Sequence, residues 1–226
     1  MPTAAILLAA GESTRMGTLK ALLPWGEATL LEYQAAQLRA SRCSEVVVVL
    51  GHEAGRLRAV LGLEREGPNP LAPLAPSGHL RPAGVGGTGC GALTAVHNPD
   101  YRLGKTTSIR AGVAALSPET TAALVLAVDQ PRPAWLLNRL VAEQERTGAP
   151  IVVPAHAGRR GHPPVFAASL FPELLALSEE RQGLREVMSR HAAEVHVVEV
   201  DTPLVHVNLN RPEDYEAARA LFGAHD

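Results

Sequence analysis

AAILLAAGESTRMGTLK, residues 4–20, decides how the rest of the chain is read. Ala4–Ala10 carries nothing polar and has the length of a strand buried on both faces, as in a parallel sheet. It turns abruptly into Gly11, Glu12, Ser13, Thr14, Arg15, Met16 and Gly17, with Lys20 close behind. In an open parallel sheet ligands bind outside the carboxyl ends of strands, so a polar loop after the first strand is well placed for a site. Gly11 is expected to allow torsions and a close backbone approach that a side chain would forbid, and successive loop N–H groups form a concave nest for phosphate oxygens. Ser13 and Thr14 add hydroxyl donors, Arg15 a planar fork and Lys20 a compact charge. Together they read as a polyphosphate cradle; the plainer alternative is an ordinary loop with a solvated Arg and Lys. The spacing G-x-x-x-R-x-G-x-x-K differs from the P-loop G-x-x-x-x-G-K-[ST], which disfavours a kinase or ATPase of that class.

Outward from this stretch, short apolar runs alternate with segments of helical period, the pattern of βαβ units with a mainly parallel sheet and helices on both faces. Strands are expected at Ala4–Ala10, Glu45–Leu50, Ala123–Asp129, Ile151–Pro154, Val195–Val200 and Val205–Asn208. Helices are expected at Thr29–Ser41, Glu53–Leu61, Thr107–Leu116, Pro133–Thr147, Leu170–Leu177, Gly183–His191 and Pro212–Phe222. The 226 residues are read as one α/β domain with a three-layer Rossmann-like arrangement. Gly67–Gly91 holds five prolines and seven glycines without an apolar period, so about 64–92 reads as a long loop or insertion. The G-x-G-x-x-G at 84–89 lacks the preceding strand and following helix that a dinucleotide site needs.

A net charge of −2 and 4% aromatic residues argue against a nucleic-acid partner but leave room for a local anion site. Cys43 and Cys90 have neither disulfide-framework nor zinc spacing, and the nine histidines are scattered. No apolar stretch approaches a membrane span and no cleavage signal opens the chain, so a soluble cytoplasmic protein without a membrane partner is expected. No G-x-S-x-G elbow supports a serine hydrolase.

LLAAGESTRMGTLKALLP, residues 7–24, resembles the phosphate loop of the MobA-like nucleotidyltransferases, which have a GT-A-like Rossmann domain, and especially the branch that attaches CMP or GMP to molybdopterin. The likeness spans almost the whole chain and extends, in the family's order, to VVVVLG (46–51), NPDYRLGKTTSIRAGVAAL (98–116), AVDQP (127–131), GRRGHPPVF (158–166) and VNLNRPEDY (207–215). It implies transfer of a nucleoside monophosphate from CTP or GTP to a phosphorylated small-molecule acceptor, with Mg2+ as cofactor. Arg15, Lys20 and Asp129 are implied as catalytic residues. Leu8, Ala9, Ala10, Gly11, Glu12, Ser13, Thr14, Arg15, Met16, Gly17, Lys20, Gly51 and Ser108 are implied at the nucleotide. Gln130, Pro131, Arg160, Gly161, His162 and Pro163 are implied at the acceptor, and a molybdoenzyme or accessory protein as a further contact.

Several of these positions carry a second reading. Asp129 ends an aliphatic strand in the same crevice and fits Mg2+ shared with substrate phosphates, or caps a turn before Pro131. Asn210 stands where the cytidylyl branch usually has an aspartate, a metal ligand; it offers a carbonyl oxygen without charge and leans towards GTP, or belongs with Asn208 to a strand-end turn. Ser108 contacts nucleotide or caps a helix, and Arg159-Arg160-Gly161-His162 receives an acceptor phosphate or forms a solvated turn. In the resembling family Ala9-Ala10-Gly11 and Gly-His-Pro go with the cytidylyl branch, which leans towards CTP; for Ala10 the physical reason would be a methyl that crowds a purine. The alternatives are a sugar-phosphate or polyol-phosphate nucleotidyltransferase, and a non-catalytic nucleotide-binding accessory protein.

Overall fold

The computed structural model describes residues 2–12, 18–63 and 92–223. Ser13, Thr14, Arg15, Met16 and Gly17, the G-x-G-x-x-G at 84–89, Cys90 and the rest of 64–91 lie outside the described residues. The chain forms β1 (Thr3–Ala9), a hairpin of β2 (Pro24–Trp25) and β3 (Ala28–Thr29), α1 (Leu30–Ala40), β4 (Glu45–Leu50) and α2 (Ala54–Val60). After the undescribed stretch come β5 (Ala92–His97), α3 (Lys105–Ala114), β6 (Ala122–Ala127), α4 (Ala134–Thr147) and β7 (Ile151–His156). The rest is β8 (Arg159–Arg160), β9 (Val165–Ala167), α5 (Phe171–Leu175), α6 (Leu184–Arg190), β10 (Val195–Glu199) and α7 (Pro212–Gly223).

The main sheet has the order β10-β7-β9-β6-β1-β4-β5, with β8 added to β7. β1 lies parallel to β4 on one side and to β6 on the other, so the strand order reverses at β1 and opens a crevice at its carboxyl end. β9 alone among the interior strands runs against its neighbours, antiparallel to β6 and β7. An antiparallel strand starts at the edge where parallel strands finish. That reversal brings the residues before β9, His162 and Pro163, to the same edge as the end of β6.

Successive strand residues feed opposite faces, as the period-two pleat requires. Ala5 and Leu7 of β1 and Val46 and Val48 of β4 pack with Leu30, Leu38, Leu137 and Leu140 of α1 and α4. Ile6, Leu8, Val47 and Val49 pack with Ile109 and Val113 of α3 and Leu174 of α5. Each fully buried side chain of this kind contributes about 1.5–3 kcal/mol. α3 lies close on β1, because a Cβ on Gly112 would sit 2.4 Å from Ile6 Cγ2. α1 starts at a capping box, in which the Thr29 N–H donates to Glu32 at 2.8 Å and the Glu32 N–H donates to Thr29 Oγ1 at 3.3 Å.

Several expectations need correction. Residues 205–208 are no strand: Pro203–His206 is a 3-10 turn, started by Thr202, whose hydroxyl accepts from the Leu204 N–H at 3.3 Å, and by Pro203, which has no N–H for a ladder. β5 was hidden at the end of the supposed insertion, and β8 and β9 are too short to show a period. The expected helix at 170–177 is a 3-10 turn, Ala168–Leu170, followed by the short α5. Among the described residues no helix is long and apolar enough to cross a membrane. Cys43 is a buried free thiol, pushed up to about 11 by burial.

Candidate active site

Three elements meet at the carboxyl edge of β1 and β6. Asp129 stands just past β6, where the Val128 N–H donates to Leu8 O at 3.0 Å and the Leu209 N–H to Asp129 O at 2.8 Å. Lys20 opens the 3-10 turn Lys20–Leu22, set in place by its buried neighbours Leu19 and Ala21. Asn210 precedes α7, its N–H donating to Asp214 Oδ2 at 3.1 Å. The Lys20 ammonium donates to Asp129 Oδ2 at 2.8 Å and to Asn210 Oδ1 at 3.1 Å. Residues 109 and 190 positions apart in sequence from Lys20 thus converge on one positive charge.

Beside this trio lies a cavity of about 290 Å³. Leu8, Ala9, Ala10 and Gly11 line it from the end of β1, and Ala127, Val128 and Asp129 from the end of β6. Tyr101, Gly104, Lys105 and Ser108 close it from the α3 side. The buried Ser108 hydroxyl accepts from Asn98 Nδ2 at 3.0 Å and so keeps its own proton to donate. Gly11 corrects the expectation of a special torsion: its φ is not in the left-handed region, and a Cβ there would meet no atom of the described residues. Gly51 is outside the lining; a Cβ there would lie 2.8 Å from Ala10 O and 2.7 Å from Tyr101. Glu12 turns away to accept from Arg102 Nε at 2.7 Å and from the Tyr101 hydroxyl at 3.2 Å, and the Arg102 hydrogen bond holds its carboxyl below the usual range.

The acceptor-side candidates lie after Asp129, and in β8 and the segment between it and β9. Gln130 and Pro131 are buried, with Gln130 O accepting from Gln34 Nε2 at 2.7 Å. Arg159 and Arg160 are exposed on β8. Gly161 is required by a close approach, since a Cβ there would lie 2.5 Å from Val205 O; the next N–H, of His162, donates to that carbonyl at 2.9 Å. The His162–Pro163 peptide is cis. His162 remains exposed, but desolvation by the surrounding protein, followed by the charges of Arg132 and Lys105, pushes its imidazole down to about 4. It is a neutral hydrogen-bonding group at neutral pH.

Arg132 joins these pieces and had no signal in the sequence beyond lying near Asp129. Its side chain is fully buried, and its five N–H groups reach only carbonyls. Nε donates to His162 O at 2.9 Å, Nη1 to Pro131 O at 2.7 Å and Val207 O at 3.1 Å, and Nη2 to Val205 O at 2.9 Å and Val207 O at 3.1 Å. Burial pushes its pKa down to about 9, leaving it cationic at neutral pH. One guanidinium therefore ties the turn after Asp129 to the Gly-His-Pro segment and to residues 205–207, which lead to Asn210. Lys105 also lines the cavity without a motif of its own to mark it, although a lysine in the first turn of a helix opposes the helix dipole and is for that reason unusual.

A family model for the MobA-like NTP transferase domain matches residues 5–197. The chain belongs to this family. Its fold agrees, and the protein is a MobA-like nucleotidyltransferase. It is 26% identical over 220 residues to molybdenum cofactor cytidylyltransferase of Escherichia coli (strain K12), covering 96% of this chain and 95% of that one. Rv0371c from Mycobacterium tuberculosis H37Rv has a similar structure, with a TM-score of 0.74 at 23% identity over 97% of this chain and 98% of that one. A nucleotidyl transferase from Methanothermobacter thermautotroptrophicus gives 0.74 and 23% over 100% and 99%. This MobA-like transferase thus shares its fold with both solved structures and nearly its whole length with the Escherichia coli relative.

Proposed function

We propose that the protein transfers CMP from CTP to the terminal phosphate of molybdopterin, with release of pyrophosphate. The observation that carries this reading is the meeting of Lys20, Asp129 and Asn210 at the rim of a cavity walled by Ala9, Ala10 and Ser108. An oxygen of the acceptor phosphate forms a bond to the α-phosphorus; the bond from that phosphorus to the bridging β-phosphate oxygen breaks, and its electron pair leaves with pyrophosphate. The nucleophile is already ionised, so the work is to align two mutually repelling phosphates and to stabilise the departing charge. Lys20 meets the triphosphate, Ser108 donates to the nucleoside part, and the neutral His162 faces the acceptor side.

The same reading includes Mg2+. Asp129 and Asn210 offer hard oxygen donors that both lie within 3.1 Å of one cation position, that of the Lys20 ammonium, which suits the oxygen preference of such an ion. Among the described residues no group of three or more His, Cys, Asp or Glu residues could hold a metal, so substrate phosphates would complete the shell. When bound, the ion supplies charge neutralisation on the triphosphate oxygens.

The choice of CTP is supported by the Escherichia coli relative, a cytidylyltransferase, and by the place of Ala10 among the residues lining the cavity. Thermal unfolding with Mg2+ and either CTP or GTP tests the base: CTP is expected to raise the midpoint, and stabilisation by GTP alone overturns the choice. Pyrophosphate release with molybdopterin, and none with sugar or polyol phosphates, tests the acceptor.

A further inference from the structure

The cavity is approached by lysines from both faces of the sheet. Lys20 sits between Leu19 and Ala21, which are buried in the layer of α1 and α4. Lys105 opens α3, whose Ile109, Ala111 and Val113 are buried in the opposite layer. Both line the cavity, with Asp129 between them at the strand end, and among the described residues they are its two cationic lining residues.

Their surroundings differ. Lys20 is held by Asp129 and Asn210. Lys105 is exposed, and among the described residues its ammonium has no hydrogen bond or ion pair. One N–H at the start of α3 is already taken, because Glu179 Oε1 accepts from the Thr106 N–H at 2.7 Å. The Lys105 ammonium is offered to a ligand from a first helical turn, where a cation is electrostatically disfavoured.

We infer that Lys105 binds the phosphate of the acceptor, across the cavity from the lysine that meets the nucleotide. The inference rests on the proposed phosphate-to-phosphate transfer, in which two anions must be brought together and each needs its own counter-charge. Arg132 cannot serve, being fully buried with every donor spent on carbonyls. Lys105 lines the cavity, and its charge is also felt at His162 of the Gly-His-Pro segment.

The test uses the full chain loaded with CTP and Mg2+, titrated with inorganic phosphate as a stand-in for the acceptor's phosphate and followed by thermal shift. Lys105→Gln is expected to need roughly tenfold more phosphate for the same shift, as the loss of one charge-assisted contact implies, while its CTP midpoint stays within about twofold of the parent. Lys105→Arg is expected to restore phosphate binding. A Lys105→Gln protein that matches the parent in phosphate, or that weakens CTP instead, overturns the inference, as does a parent that shows no phosphate response. If CTP does not bind the parent, the functional reading fails separately, and the phosphate titration without nucleotide still decides the role of Lys105.

Discussion

Lys20 Nζ stands 2.8 Å from Asp129 Oδ2, and the same ammonium is 3.1 Å from Asn210 Oδ1. One lysine therefore fills the point on which two oxygen donors of the site converge. In the proposed reaction a divalent ion and the Lys20 ammonium would compete for that seat, and the triphosphate would draw the lysine out of it. In the proposed reaction, nucleotide and metal enter together.

Lys20→Ala is expected to slow turnover roughly a hundredfold, the equivalent of about 3 kcal/mol of transition-state stabilisation. The same substitution is expected to tighten binding of Mn2+ without nucleotide, followed by electron paramagnetic resonance. Parent-like turnover would remove Lys20 from the chemistry, and unchanged Mn2+ affinity would place the ion elsewhere.

Ala10 lines the cavity at the end of β1. Ala10→Gly is expected to lower the ratio of kcat/KM for CTP over GTP by about tenfold, the scale on which one methyl group discriminates in a pocket. An unchanged ratio would move base selection away from this wall.

Arg132→Met keeps the length of the side chain and removes all five donors. With the carbonyls of His162, Val205 and Val207 left short of partners, a loss of about 3 kcal/mol is expected in denaturant unfolding. If the variant folds, Asn210 and His162 lose their common tie, and turnover is expected to fall more than CTP affinity. A variant as stable as the parent would show the guanidinium to be dispensable.

His162 carries a pH signature. Its imidazole is pushed down to about 4, against about 6.5 in an unfolded chain. Between those values the unfolded chain binds the extra proton, so this group's share of stability is present above pH 6.5 and is lost as pH falls towards 4. Nuclear magnetic resonance of the ring is expected to show a neutral imidazole at pH 6; a midpoint near 6.5 would contradict the environment described. In Arg132→Met the midpoint is expected to rise, because a nearby positive charge is gone.

Gly112 is where α3 touches β1. Gly112→Val would drive carbon atoms into Ile6 and Val49, whose Cγ2 atoms lie 2.4 Å and 3.1 Å from the point a Cβ would occupy. A loss of about 2–3 kcal/mol is expected in denaturant unfolding, the cost of overpacking. Tolerance of valine would mean that the helix stands off the sheet.

The elements legible in the sequence are the long periodic ones. β1, β4 and β6 could be read because both faces are buried, which leaves continuous aliphatic runs, and α4 because its buried Leu136, Leu137, Leu140 and Val141 repeat at helical spacing. β8 and β9, two and three residues long, fall below any period. The strand expected at 205–208 was misleading, because Leu204 and Val205 are buried from a 3-10 turn and not from a strand. Lys20, Asp129 and Asn210 were each visible as chemistry, one after an apolar strand, one at the end of another and one before a helix.

The sequence by itself determined the parallel α/β class and the sheet edge at which the site lies, because strand burial and loop polarity are local properties. Tertiary structure alone decided that Lys20 takes the cation position between Asp129 and Asn210, that Lys105 faces the same cavity from the other side of the sheet, and that Arg132 is an interior clamp. Those facts depend on which strand neighbours which and on the reversal of β9. Hydrogen-bond partners 30 to 190 residues apart are selected by packing, which no local pattern records.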